Sequence, residues 1–240
     1  MGTMRAAILT GPGTLRIEEV PRLEPGPGQV RLRVEGCGVC ASNLVPWSGP
    51  DWMRFPTEPG DLGHEAWGTI DAVGPDVDAG WIGRRVAALS YRAYAQYDLA
   101  AAEAVVPLPA SLDGSPFPGE PLACAVNIFR RSAVEACQTV AIVGLGFLGA
   151  LLTRRSVAAG ARVIAISRRD EALDWGRRAG AAETIPLRDS GSVVAALRDL
   201  TGGGLCERVI EAVGKQEPLD LAAELTAERG RLVIAGYHQD

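Results

Sequence analysis

VAIVGLGFLGALLTRRSVAAGARVIAIS, residues Val140–Ser167, is the stretch from which the rest of the chain is read. The run Val140–Val143 is short and apolar, the pattern of a strand buried on both faces. Gly144, Gly146 and Gly149 follow at once in the spacing G-x-G-x-x-G. The first glycine allows a tight turn, the second lets backbone approach a pyrophosphate, and the third lets helix and strand pack closely. A helix is predicted next, with Ala150, Leu151, Leu152, Val157 and Ala158 toward a sheet and Arg154 and Arg155 toward water. Gly160 closes it, and a second apolar strand, Arg162–Ile166, completes a βαβ unit. The helix N-terminus offers free N–H groups and partial positive charge to phosphates. The residues expected to hold a dinucleotide are therefore Gly144, Leu145, Gly146, Phe147, Leu148 and Gly149. Taken alone, the glycine pattern also suits another α/β domain, including one that binds a nucleoside but no pyrophosphate.

The alternation continues past Ser167. Helices are predicted over Asp170–Ala179, Ser192–Thr201 and Pro218–Leu225, and strands over Glu183–Pro186, Arg208–Val213 and Arg231–Ala235. Strands alternating with helices of this length make a parallel, doubly wound sheet. A full dinucleotide-binding sheet has six strands; five are legible here, so the sheet is expected to stop after its fifth strand. Upstream the character changes. Met4–Thr10, Thr14–Glu19, Gln29–Glu35, Gly68–Val73, Gly83–Leu89, Ala93–Leu99 and Ala104–Pro107 read as short strands separated by Gly/Pro turns, a small barrel-like β domain. A helix over Pro121–Cys137 leads into the glycine strand. The division is drawn at 1–122 and 123–240.

Length and composition bound the function. At 240 residues the chain can build two cores. A net charge of −5 with scattered arginine pairs argues against a nucleic-acid partner. No run approaches the roughly 20 apolar residues of a membrane span, and the N-terminus lacks an apolar leader with a cleavage site. Five cysteines, odd in number and irregularly spaced, fit a reduced compartment. A cytoplasmic protein is expected.

The β-rich part carries the polar chemistry. His64 stands in Gly63-His-Glu65, and Cys37-x-x-Cys40 precedes a short helix. A loop histidine taken alone is more often structural than a ligand. A lone CxxC is a redox pair or half of a zinc knuckle, and no second CxxC completes a four-ligand site. Together, a cysteine, a histidine and a later carboxylate or cysteine give three ligands with a fourth position open, the layout of a catalytic zinc site. Trp47, Trp52, Met53 and Phe55, in the Pro/Trp/Gly-rich loop after Ser42, either line an apolar pocket or pin the loop by their burial.

Four motifs in order then carry a resemblance over essentially the whole chain: Gly38-Val-Cys40-Ala-Ser42, Gly63-His-Glu65, Glu120-Pro-Leu-Ala-Cys124 and Gly144-Leu-Gly-Phe-Leu-Gly149. The sequence resembles the zinc-dependent medium-chain dehydrogenase/reductase family, alcohol dehydrogenase-like enzymes, in its polyol and sugar dehydrogenase-like branch. The resemblance implies an α/β protein: a GroES-like β-rich catalytic domain, then a Rossmann domain with a doubly wound parallel sheet, here truncated after the fifth strand. It implies one catalytic zinc held by Cys40, His64 and Glu120, with Cys124 one turn beyond as the fallback. Glu65 matches the carboxylate beside the metal, Ser42 the hydroxyl that relays the substrate proton, and Cys37 a position that binds no metal. The implied reaction is hydride transfer between a nicotinamide cofactor and an alcohol or polyol, or the corresponding ketone or aldehyde. Two alternatives stand: a zinc-free enone or quinone reductase of the same superfamily, and a shortened chain that binds nucleotide without turnover.

The sequence departs from the family pattern in three places. Residues 89–107 hold no cysteine, so no structural zinc is expected. Asn43 stands where the family usually has Asp. Family members also continue beyond the equivalent of residue 240 with a sixth strand and a dimer surface; the edge left exposed invites association, so a homo-oligomer is possible. The cofactor is expected to be NADP(H) in preference to NAD(H). The position at which an acidic residue would bind the ribose 2′-OH is Ser167, followed by Arg168 and Arg169. A serine can donate to a 2′-phosphate and an arginine can pair with it. The alternative is that both arginines point into solvent.

Overall fold

The computed structural model describes residues 2–238, and the chain divides into two compact units, Met1–Pro121 and Leu122–Asp240. The first opens with an antiparallel hairpin of β1 (Thr3–Gly11) and β2 (Thr14–Pro21). β3 (Gln29–Cys37) follows, then a 3-10 turn at Ala41–Asn43 and a one-turn helix α1 (Leu44–Ser48). β4 (Ala66–Val73), β5 (Arg85–Ala88), β6 (Tyr97–Ala101) and β7 (Val105–Pro107) complete a five-stranded antiparallel sheet in the order β6-β3-β4-β5-β7. Its core is Val30, Leu32, Ala66, Ile70, Val86 and their neighbours.

The predicted strand Ala93–Leu99 is divided between two partners. Ala95 bridges to Ala6, while Gln96 serves both sides: its N–H donates to the Arg5 carbonyl at 3.0 Å, its carbonyl accepts from the Val34 N–H of β3 at 2.9 Å, and Tyr97 onward pairs with β3. The ladder is open, with β6 and β7 as its edges, and does not close as a barrel. β3 also breaks simple alternation: Val30, Arg31 and Leu32 are all buried. Arg31 is tolerated there because its guanidinium grips Asp71 through two bonds, at 2.9 and 3.2 Å, and also reaches Glu24 and the Leu23 carbonyl.

In the second unit, α2 (Gly119–Ser132) leads to β8 (Thr139–Val143). α3 (Phe147–Ala158), β9 (Arg162–Ser167), α4 (Asp170–Arg178), β10 (Glu183–Pro186) and α5 (Ser190–Leu200) follow. The described chain then runs through β11 (Cys206–Glu211), α6 (Gln216–Leu225) and β12 (Thr226–Ile234). The five strands are parallel in the order β10-β9-β8-β11-β12, with β8 at the centre, which is the doubly wound arrangement. Val140, Ala141, Ile142 and Val143 are fully buried, as a strand covered on both faces must be.

Two expectations are corrected. α2 ends at Ser132 and not at Cys137, because Ala133 takes a left-handed φ of 45° that no α-helix continues through. On α3 the buried face is Gly149, Leu152, Thr153 and Ser156, while Ala158 is exposed. The Thr153 hydroxyl donates to the Gly149 carbonyl at 2.8 Å, so it faces the sheet with its polar atom satisfied.

Candidate metal centre and dinucleotide turn

β3 ends at Cys37, and the chain turns through the 3-10 segment Ala41–Asn43, where the Asn43 N–H donates to the Cys40 carbonyl at 3.1 Å. This turn presents Cys40 beside the segment that delivers His64 and Glu65 just before β4. Ligand atoms of Cys40, His64 and Glu65 lie within 4.8 Å of one another, and these three form the one such cluster found among the described residues. Cys40 and His64 are half-buried, and Glu65 is buried. Burial, and then the nearby charge of Glu120, push the Glu65 carboxyl above its ordinary range. Two carboxylates that repel beside a cysteine and a histidine are a donor set that a divalent cation would relieve, so the residues fit zinc.

Glu120, in the first turn of α2, stands outside the 4.8 Å cluster but close enough for Glu65 to feel its charge. Cys124 is exposed on the same helix. Ser42 is half-buried in the 3-10 turn. Burial raises the Cys37 thiol to about 11, a structural sulfur more than a reactive one.

The orientation of His64 is fixed by Asn43 together with two residues that sequence reasoning left out, Leu62 and Tyr94. Its Nδ1 lies 2.9 Å from the Leu62 carbonyl oxygen. A carbonyl only accepts, so Nδ1 is the donor here, which leaves Nε2 as the nitrogen that can meet a metal. The same carbonyl accepts from Asn43 Nδ2 at 3.1 Å, and Asn43 Oδ1 accepts from the Tyr94 hydroxyl at 2.9 Å. Leu62 adopts a left-handed φ of 71°, stabilised in part by a 3.0 Å bond from its own N–H to Asp61. Asn43 thus acts through its amide N–H, which an aspartate could not supply. Nothing in the sequence marks a backbone carbonyl or the distant Tyr94 as part of this arrangement.

The loop before His64 is held only in part by aromatic burial, with Met53 and Phe55 half-buried. Trp47 and Trp52 are 40% and 59% exposed. The Thr57 N–H donates to the Leu9 carbonyl and the Gly60 N–H to the Ala7 carbonyl, at 2.9 and 2.8 Å, which lashes the loop to β1 by main chain.

In the second unit the glycine turn is built by the absence of side chains. Gly144 has a φ of 99°, a conformation that L-residues rarely adopt. A Cβ at Gly149 would lie 1.9 Å from the Gly144 carbonyl oxygen, so helix and turn touch there. At Gly146 a Cβ would meet nothing within 4 Å, which leaves open space at the N-terminus of α3. Leu145 is buried, whereas Phe147 is exposed beside that opening. Ser167 ends β9 buried, its hydroxyl accepting from the Arg169 N–H at 3.3 Å. Both arginines are exposed, as the solvent alternative has it; Arg168 pairs with Glu217 at the surface, and Arg169 lies over the Trp175 ring at 5.8 Å.

Comparison with known proteins agrees with both halves of this description. Residues 26–110 match the alcohol dehydrogenase GroES-like domain, and residues 147–240 match the zinc-binding dehydrogenase domain. Alcohol dehydrogenase notN of Aspergillus sp. (strain MF297-2) is 32% identical over 76% of this chain and 63% of its own length. An alcohol dehydrogenase of Geobacillus stearothermophilus is 30% identical over 84% of this chain and 68% of its own length. The chain therefore spans about two thirds of the curated relatives it matches. The solved structure of mycobacterial Rv1454c complexed with NADPH shares 26% identity at a TM-score of 0.83, over 99% of this chain and 76% of that one. A GroES-like β domain with a Cys-His-Glu cluster, a parallel five-stranded sheet with its glycine turn, and these relatives together show that the chain belongs to the zinc-type medium-chain dehydrogenase/reductase family.

Proposed function

We propose that this chain is a zinc-dependent, NADP(H)-using oxidoreductase that interconverts an alcohol or polyol with its ketone or aldehyde. The observation that supports this most directly is the cluster of Cys40, His64 and Glu65 ligand atoms within 4.8 Å, with the His64 Nδ1–H already committed to Leu62. Cys40 and His64 would hold zinc together with a carboxylate, either Glu65, which lies in the cluster, or Glu120, whose charge Glu65 feels. Bound zinc supplies a Lewis acid that favours negative charge on a substrate oxygen. Ser42, two residues from Cys40, is placed by sequence to carry the proton of that oxygen outward. In the second unit, the open space at Gly146 and the N-terminus of α3 suit a pyrophosphate. Ser167 with Arg168 and Arg169 suits a 2′-phosphate; Arg168 would exchange Glu217 for it. Bound NADP(H) supplies or accepts the hydride.

The deciding experiment measures zinc per chain after purification without chelators, beside turnover on a broad panel of alcohols and ketones. Zinc near one per chain with turnover is expected. A metal-free chain that reduces enones or quinones points to the zinc-free branch. Cofactor binding without turnover on any panel member points to a nucleotide-binding chain. Glu65→Ala and Glu120→Ala, each assayed for zinc, identify the third ligand as the variant that loses more metal; Cys124→Ala is expected to lose less than Glu120→Ala.

A further inference from the structure

Glu211, the last residue of β11, is completely buried, and among the described residues no lysine or arginine is bonded to its carboxylate. A buried carboxylate is retained only where its oxygens are satisfied. Here Oε1 accepts from the N–H groups of Val213 and Gly214 at 2.6 and 2.8 Å, and Oε2 faces His238 Nε2 at 3.2 Å. The backbone carbonyl of Glu211 accepts from the Ala235 and Gly236 N–H groups at 2.8 and 3.0 Å. One residue therefore ties the turn after β11 to the chain leaving β12.

That tie sits at the dinucleotide turn. A Cβ at Gly144 would come within 2.5 Å of Val213 Cγ2, and one at Gly236 within 2.1 Å of the Gly214 nitrogen. The chain at 144, 213–214 and 236 is packed without slack, so the position of the 212–214 turn sets the wall beside Gly144. Val213 and Tyr237 on this wall leave 43% and 69% of their surface exposed, apolar groups at the carboxyl ends of the strands. In doubly wound sheets the ligand lies across those ends where the strand order reverses, here between β8 and β11. Ser167 lies on the β9 side, with the adenosine end of the cofactor. The β11 and β12 side is left for the nicotinamide end.

We infer that Glu211 and His238 form a latch that positions the nicotinamide-side wall, Val213 and Tyr237, for the cofactor. Both are positioning residues, since they act through the 212–214 turn and the chain after β12. The inference rests on the NADP(H) reading above.

The test compares NADPH with 2′-phospho-ADP-ribose, the same molecule without its nicotinamide, on the full chain. Dissociation constants and the ligand-free melting temperature are measured for the wild type, His238→Ala, His238→Gln and Glu211→Gln. His238→Ala and Glu211→Gln should each weaken NADPH about tenfold, the size of one hydrogen bond to a charged group. Binding of 2′-phospho-ADP-ribose should stay within about twofold, and His238→Gln should recover part of the loss. A latch that only stabilises the fold would lower the melting temperature and leave the ratio of the two dissociation constants unchanged, which overturns the inference. If Glu211→Gln does not fold, the His238 pair decides alone. A wild type that binds neither ligand sinks the cofactor reading itself, and the latch with it.

Discussion

Around Cys40 and His64 the chain works by placing side chains; around Gly144 and Gly149 it works by leaving them out. In the first region three donor side chains converge within 4.8 Å, and a fourth group, Asn43, orients one of them through a backbone carbonyl. In the second, the fit between turn and helix is set by a Cβ that is missing, at 1.9 Å from a carbonyl oxygen. The contrast teaches where each site is fragile. A donor cluster fails chemically, by losing a ligand while the fold survives. A backbone cradle fails mechanically, because an added atom has nowhere to go.

The largest effect expected follows from the first half of that contrast. Cys40→Ser and His64→Ala should each release zinc and remove turnover, by more than the 10–100-fold typical of losing an outer partner. Circular dichroism should show the fold intact. Normal zinc content with normal turnover in either variant refutes the donor assignment.

The glycines sharpen the other half. Gly149→Ala should destabilise the second unit by about 1–3 kcal/mol or more, since the obstructing atom is backbone and cannot swing away. Gly146→Ala should leave the melting temperature unchanged, because its Cβ meets nothing within 4 Å, and should weaken cofactor binding by filling that space. If the two alanines behave alike in both assays, the backbone-cradle description fails.

A smaller effect is expected at the end of β9. Ser167→Asp should shift the ratio of NADP to NAD affinity toward NAD by one to two orders of magnitude, since a unit charge at close range is worth up to ~4 kcal/mol before screening and desolvation. Glu217→Gln, which frees Arg168, should move the ratio the other way. An unchanged ratio in Ser167→Asp rules out a 2′-phosphate contact there.

The smallest is at the rim of the donor cluster. Tyr94→Phe removes one hydroxyl from the chain Tyr94–Asn43–Leu62–His64 and should weaken zinc about tenfold, measured by chelator competition. Asn43→Ala should cost more, because it removes the bond to the Leu62 carbonyl directly. Zinc affinity equal to wild type in both would leave His64 oriented by something else.

The two regions were unequally legible. Periodicity and glycine spacing were enough for β8, the turn and β9, because a strand buried on both faces and a helix against it leave strong local patterns. Cys40 and His64 were legible as motif residues. The contribution of Leu62 was not, since it is made by a carbonyl oxygen that every residue possesses. Tyr94 was hidden by distance along the chain, and Ala93–Gln96 read as sheet because its alternation does not say which strand it pairs with. Thr153 was missed on the buried face of α3 because a helical hydroxyl can satisfy itself on the preceding turn, a bond that leaves no trace in a hydropathy pattern. Ser156 is buried on the same face with no hydrogen-bond partner for its hydroxyl among the described residues, a placement that hydropathy disfavours.

The loop that precedes His64 is tethered to β1 through main-chain atoms of Thr57 and Gly60 and through the Thr57 hydroxyl, which accepts from the Leu9 N–H at 3.1 Å, while Trp52 stands largely in solvent. Its hold on β1 therefore owes little to Trp52. Trp52→Ala should leave the donors that follow undisturbed, with melting temperature and zinc content as in the wild type. What anchors the loop and what it shows to solvent are thus different residues.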